Sequence, residues 1–122
     1  MKFLTIDHVQ LSMPTGEEDK ARAFYVTLLG FAEVPKPVEL AKRGGVWFEQ
    51  GSVKLHMGVE ENFHALRKAH PALIVDDLAA LIAHLQNASY EVDTGQPPLE
   101  GYKRVHVLDP FGNRLEIMEK LG

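Results

Sequence analysis

Between Tyr102 and Glu119 the chain alternates in polarity across two stretches separated by Asp109-Pro110-Phe111-Gly112-Asn113. Side chains alternate across a strand, so Arg104 and His106 oppose Val105 and Val107, and Arg114, Glu116 and Met118 oppose Leu115 and Ile117. Proline presets φ early in a turn, and glycine and asparagine tolerate the positive φ that closes it. The pattern predicts a hairpin with one apolar face for packing. Glu116 lies in mid-strand on the other face, beside an arginine and a histidine.

The same reading, applied from the N-terminus, predicts a strand over Phe3–Ser12, with Leu4, Ile6, His8 and Gln10 on the face away from Val9 and Leu11. A helix follows over Glu17–Leu29. Acidic residues favour its first turn through the helix dipole, Ala21, Phe24, Tyr25 and Leu28 recur at helical spacing, and Gly30 stops it. Phe31–Val34 is a short strand, Glu39–Gly45 a loop with at most one helical turn, and Val46–Gln50 and Ser52–Val59 a hairpin around Gly51. Trp47 and Phe48 point opposite ways, one towards the helix. Glu60–Ala69 is polar and reads as a linker.

The order then recurs. His70–Val75 is a short apolar strand. Asp76 caps a helix reaching about Ala88, with Leu78, Leu81, Ile82 and Leu85 as its buried stripe. Tyr90–Asp93 is a strand, Thr94–Gly101 a Gly/Pro loop, and the final hairpin closes the chain. Each half therefore reads strand, helix, strand, strand, strand, an internal repeat. The predicted fold class is α+β, two βαβββ modules forming a curved mixed sheet around a cup. Module one spans about 1–60 and module two about 69–122 of a single domain, 1–122.

Composition narrows the chemistry. The chain has 122 residues, a net charge of −4 with interspersed signs, and no cysteine. It carries no basic stripe for nucleic acid, no apolar run of the ~20 residues a bilayer span needs, and no thiolate ligand or nucleophile. The N-terminus lacks the apolar core of a signal peptide, so a cytoplasmic location is expected. Six histidines stand out. Four metal-competent residues occupy first and last strands of the two halves: His8, His56, His70 and Glu116. Imidazoles and a carboxylate suit Zn, Fe, Mn, Co or Ni, and a carboxylate buried beside imidazoles needs a cation or proton to offset its desolvation. Taken singly, a strand histidine more often fills an ordinary half-buried position. Arg104, His106 and Gln10 share the cup face and are candidates for holding a substrate. His64 and His84 read as surface residues.

The segments Ile6-Asp-His-Val-Gln-Leu11, Ala23-Phe-Tyr-Val-Thr-Leu-Leu-Gly-Phe31, His70-Pro-Ala-Leu-Ile-Val-Asp76 and Asp109-Pro-Phe-Gly-Asn-Arg-Leu-Glu116 resemble the vicinal oxygen chelate superfamily. That group holds glyoxalase I, extradiol dioxygenases, methylmalonyl-CoA epimerase and the fosfomycin and bleomycin resistance proteins. The resemblance covers essentially the whole chain, and its most specific part is the D-P-x-G-N turn before R-L-E. It implies a homodimer of paired βαβββ modules with a divalent metal (Zn, Ni, Fe, Mn or Co) chelating two adjacent oxygens of a small molecule. His8, His56, His70 and Glu116 then fall on the four ligand positions. Lyase or isomerase chemistry through an enediolate or oxyanion is implied, with Glu116 as ligand and proton shuttle. Glyoxalase I would favour Glu at position 56 and epimerases Gln, where this chain has His. A dioxygenase would use His8, His70 and Glu116. A resistance protein of the bleomycin-binding kind would sequester its ligand without metal.

Overall fold

A computed structural model describes residues 1–122. The chain forms two compact units, Met1–Ala65 and Leu66–Gly122. The architecture is α+β, with a four-stranded sheet in the first unit and a three-stranded sheet in the second.

In the first unit the order is β1 (Val9–Met13), α1 (Glu18–Arg22), a π-helical continuation (Ala23–Leu28), β2 (Ala32–Val34), the one-turn α2 (Val38–Ala41), β3 (Val46–Gln50) and β4 (Val53–Val59). Strands run β1-β4-β3-β2, with β1 parallel to β4 and the other pairs antiparallel. Strand β1 starts at Val9 rather than Phe3: Phe3, Leu4 and Ile6 are exposed, and Met1–His8 pair with no strand of this sheet. The predicted helix forms with its last half widened. Leu29 N–H reaches back five residues to Phe24 C=O, 2.9 Å. The wider turn lets consecutive Phe24 and Tyr25 both face inward, where an α-helix would separate them by about 100°. They meet edge to face at 4.9 Å, and Tyr25 stacks on Phe48 at 5.2 Å. Phe48 is thus the β3 residue that packs on the helix, leaving Trp47 on the opposite face. Leu11, Met13, Val46, Leu55 and Met57 complete this core.

The second unit comprises β5 (Ala72–Ile74), α3 (Leu78–Asn87), β6 (Tyr102–Leu108) and β7 (Arg114–Lys120), with sheet order β5-β7-β6. The cap of α3 is Asp77, one residue later than expected. Its carboxylate accepts from Ala80 N–H at 3.0 Å, and Glu119 accepts from Leu78 N–H at 2.7 Å. Leu78 and Leu85 are buried while Leu81 and Ile82 are half-buried, so the apolar stripe is narrower than its spacing implied. The expected strand Tyr90–Asp93 shrinks to one bridge, Asp93 to His106. The reason is local. Asp93 turns its carboxylate onto Gly95 N–H and the Gln96 amide, and Pro97 and Pro98 follow, so the chain leaves the sheet edge.

The turn after β6 is the most heavily tied segment of this unit. Buried Asp109 accepts from Phe111 N–H and Asn113 N–H at 2.9 Å each through Oδ1, and from Asn113 Nδ2 at 3.0 Å through Oδ2. Gly112 has φ +88°, a conformation that glycine adopts without steric cost. Asn113 Oδ1 in turn accepts from Leu66 N–H at 3.0 Å, and Arg114 N–H donates to Leu66 C=O at 2.7 Å. The D-P-F-G-N motif therefore anchors the end of the linker, at Leu66, to the start of β7. That anchoring, with the parallel pair Ala72–Glu116 and the bond from Glu116 N–H to Pro71 C=O at 3.0 Å, brings His70 beside Glu116.

Candidate functional site

Glu116 sits at the centre of β7, 8% exposed, paired across the sheet with His106 of β6. Its Oε1 lies 3.1 Å from His70 Nε2 and 3.6 Å from His106 Nε2. Its Oε2 accepts from Arg104 Nη1 at 3.3 Å. Arg104 is itself held, donating through Nε and Nη2 to Pro97 C=O at 3.2 and 2.8 Å. One donor atom each from His70, His106 and Glu116 falls within 4.8 Å of the others.

Two details of the histidines bear on what such a cluster accommodates. His70 Nδ1 lies 3.0 Å from both Arg67 C=O and Lys68 C=O. Carbonyl oxygens only accept, so Nδ1 carries the proton, and in the neutral ring Nε2 presents a lone pair to the Glu116 carboxylate. Lone pair against lone pair at this distance is repulsive unless a proton or a cation lies between them. His106 is 7% exposed, and neither ring nitrogen has a hydrogen-bond partner. A buried polar atom left unpaired costs about 1–3 kcal/mol, and a cation held by the ring removes that cost. Backbone carbonyls holding the far nitrogen of a ligand histidine are also the usual support of a metal site. The residues fit a divalent ion.

Electrostatics agree. Burial pushes the Glu116 carboxyl up, but the contacts with His70 and with the Arg104 guanidinium outweigh it, and its pKa lies below the ordinary carboxylate value. Burial holds the His106 pKa below that of a free imidazole, against the pull of Glu116. A carboxylate kept ionised and an imidazole kept neutral are the protonation states that ligands require.

The first unit holds a different arrangement. Trp47 and His56, paired across β3 and β4, stack at 3.9 Å with planes 6° apart, and His8 stacks on the far side of His56 at 4.1 Å. His8 Nδ1 contacts Asp7 at 2.9 Å. Burial, and then the neighbouring His8, lowers the His56 pKa. Trp47, His56 and His8 form one wall of a cleft of about 420 Å3, lined also by Gln10, Lys36 and Arg43.

Of the four residues expected as ligands, His70 and Glu116 meet in the second unit, and His8 and His56 meet in the first. His56 is clasped between two rings instead of facing a carboxylate. His106, expected to touch substrate, joins the ligand cluster, because β6 and β7 pair in a register that sets it directly opposite Glu116. Arg104, likewise expected at a substrate, is spent on Glu116 and Pro97. Gln10 lies at the first-unit cleft. The sequence reading passed over Lys36 and Arg43, since nothing in a proline-flanked loop marks them for one cleft. The Trp47 stack had a signal: positions 47 and 56 are symmetric about the Gly51 turn.

The chain belongs to the glyoxalase/bleomycin resistance protein/dioxygenase superfamily, whose family model matches residues 5–117. Among solved structures, a protein assigned to the glyoxalase family of Bacillus anthracis is 44% identical, with a TM-score of 0.91 over 99% of this chain and 98% of that one. A glyoxalase family protein of Enterococcus faecalis is 25% identical, with a TM-score of 0.77 over 98% and 100%. The fosfomycin resistance protein FosX of Listeria monocytogenes shares the fold, with a TM-score of 0.76 at 11% identity over 98% and 96%. A comparison with functionally curated proteins finds no match. No helix is long and apolar enough to cross a membrane.

Proposed function

We propose that the protein is a divalent-metal-dependent enzyme of the glyoxalase-like kind, with His70, His106 and Glu116 holding the ion. Its substrate would be a small molecule with oxygens on adjacent carbons, and its reaction of the lyase or isomerase type. The observation that supports this is the lone-pair confrontation of His70 Nε2 with Glu116 Oε1, beside the unpartnered, buried His106. A bound ion would supply Lewis-acid polarisation of the substrate oxygens.

The chain's own residues do the rest. Carbonyls of Arg67 and Lys68 orient His70. Arg104 holds Oε2 of Glu116 and keeps the carboxylate ionised. A general base works best with its pKa near the working pH, so the downward shift favours Glu116 as ligand over Glu116 as proton shuttle. The two units are read as paired modules of one domain, acting as a cytoplasmic homodimer.

Metal analysis after reconstitution tests the reading. One ion per wild-type chain is expected, and its loss in His106→Ala and Glu116→Gln. Exchange of a carbon-bound proton α to a carbonyl, followed by NMR in D2O across small hydroxyketones, reports the lyase/isomerase chemistry. Oxygen uptake with a catechol would favour a dioxygenase instead. A reconstituted protein without metal would sink the proposal and favour a ligand-sequestering protein.

A further inference from the structure

The two oxygens of the Glu116 carboxylate keep different company. Oε1 faces the imidazoles, 3.1 Å from His70 Nε2 and 3.6 Å from His106 Nε2, while Oε2 accepts from Arg104 Nη1 at 3.3 Å. A carboxylate can otherwise offer both oxygens to a cation. Here one of them is already bound to a charged donor that, unlike lysine or histidine, does not give up its proton.

That donor is fixed on its other edge. Arg104 Nε and Nη2 fork onto Pro97 C=O at 3.2 and 2.8 Å. The carbonyl lies in a stiff stretch. The rings of Pro97 and Pro98 set φ at about −65°, and just before them Asp93 binds Gly95 N–H and the Gln96 amide. Just after them Leu99 bridges Tyr102, and Leu121 N–H donates to Gly101 C=O at 2.9 Å. A planar guanidinium held along one edge has little freedom to swing its remaining nitrogen off Oε2. All of these residues belong to the second unit.

We propose that Arg104 is the positioning residue of this centre and sets its preference among ions. By occupying Oε2 it leaves Glu116 a single oxygen for an ion, so the cluster supplies one donor atom each from His70, His106 and Glu116. Such a set favours Zn2+, which is content with about four ligands, over Mn2+, which takes more oxygens and gains from a carboxylate that offers two. Arg104 acts only through Glu116. The inference rests on the metal-binding reading above and adds to it the cause of ion choice.

Infrared difference spectra of the full chain, carrying glutamate labelled with 13C in its carboxylate, read the binding mode when Zn2+ is added. A wide separation of the antisymmetric and symmetric carboxylate stretches, the mark of one-oxygen ligation, is expected in the wild type. The narrow separation of two-oxygen ligation would overturn the proposal, and this measurement needs no variant. Calorimetric titration with Zn2+ and with Mn2+ then tests the cause. In Arg104→Met the ratio of Zn2+ to Mn2+ affinity should fall about tenfold, the low end of losses when a partner supporting a metal ligand is removed. Both ions carry the same charge, so loss of the guanidinium's repulsion cancels in the ratio and the carboxylate geometry remains. Arg104→Lys keeps the charge but has no fork to span Pro97 and Glu116, and its ratio should fall as well. Unchanged ratios in both variants, with circular dichroism like the wild type, would sink this proposal and leave the metal reading standing. A wild-type chain that binds neither ion would sink both.

Discussion

Strands β4 and β7 each carry a central polar residue at matching register, and the two units use it differently. In the parallel pairs Gln10 stands opposite His56 and Ala72 opposite Glu116; in the antiparallel pairs Trp47 stands opposite His56 and His106 opposite Glu116. Counting from these pairs, His8 corresponds to His70, Trp47 to His106 and His56 to Glu116. One scaffold thus presents His, Trp, His in the first unit and His, His, Glu in the second. With a carboxylate at the centre, the imidazoles turn their nitrogens towards one point and a cation is favoured. With a histidine there and a tryptophan beside it, negative charge is missing, and the rings gain more by lying face to face. Which central residue a strand carries decides between a ligand cluster and a stacking wall.

The largest expected effect tests that contrast directly. Glu116→Gln should lower metal affinity by at least about a hundredfold, beyond the loss typical of a supporting residue, whereas His56→Gln should leave it unchanged by calorimetric titration. Equal losses in both variants would erase the distinction between the units.

The turns that close the two hairpins differ as well. The β3–β4 turn consists of Gly51 with exposed neighbours, while Asp109 and Asn113 are buried and share the hydrogen bonds described above. Asp109→Ala should cost about 2–4 kcal/mol in chemical unfolding, because it strands buried backbone donors. Ser52→Ala in the first-unit turn should stay within about 0.5 kcal/mol.

A smaller effect is read through pH. The His56 pKa is lowered in the folded chain, so below about 6.5 the unfolded chain takes up the proton first. Folding stability contributed by the neutral ring is present above that value and is lost as pH falls from it towards the folded pKa. His56→Phe should therefore flatten the acid limb of stability, measured as Tm against pH between about 7 and 5, while keeping the stack. A variant with an unchanged acid limb would show that another group governs it. Smallest of all, Lys20→Ala removes an exposed pair with Glu17 at 2.9 Å and should shift stability by less than about 0.5 kcal/mol.

Much of this was legible from residue pattern. Alternation located the hairpins, helical spacing located the two long helices, and the D-P-F-G-N motif marked the turn. His8 and His70, and likewise His56 and Glu116, were visible as equivalent positions because the repeat set them on corresponding strands. The failures have physical causes. Alternation extends back to Phe3, but a strand needs a partner, and β4 ends its pairing at Val9. Tyr90–Asp93 has strand character, yet Asp93 bonds locally to Gly95 and Gln96 instead of propagating a ladder.

By itself, then, the sequence determined which faces are apolar, where the chain turns and which residue types can bind metal, because these depend on local periodicity and side-chain chemistry. The tertiary structure decided which of those residues share a site. Cross-strand register set His106 against Glu116 and Trp47 against His56, and Arg104, read as a candidate for holding substrate, is tied to the Glu116 carboxylate. Register is a property of paired strands, and no single strand's sequence carries it.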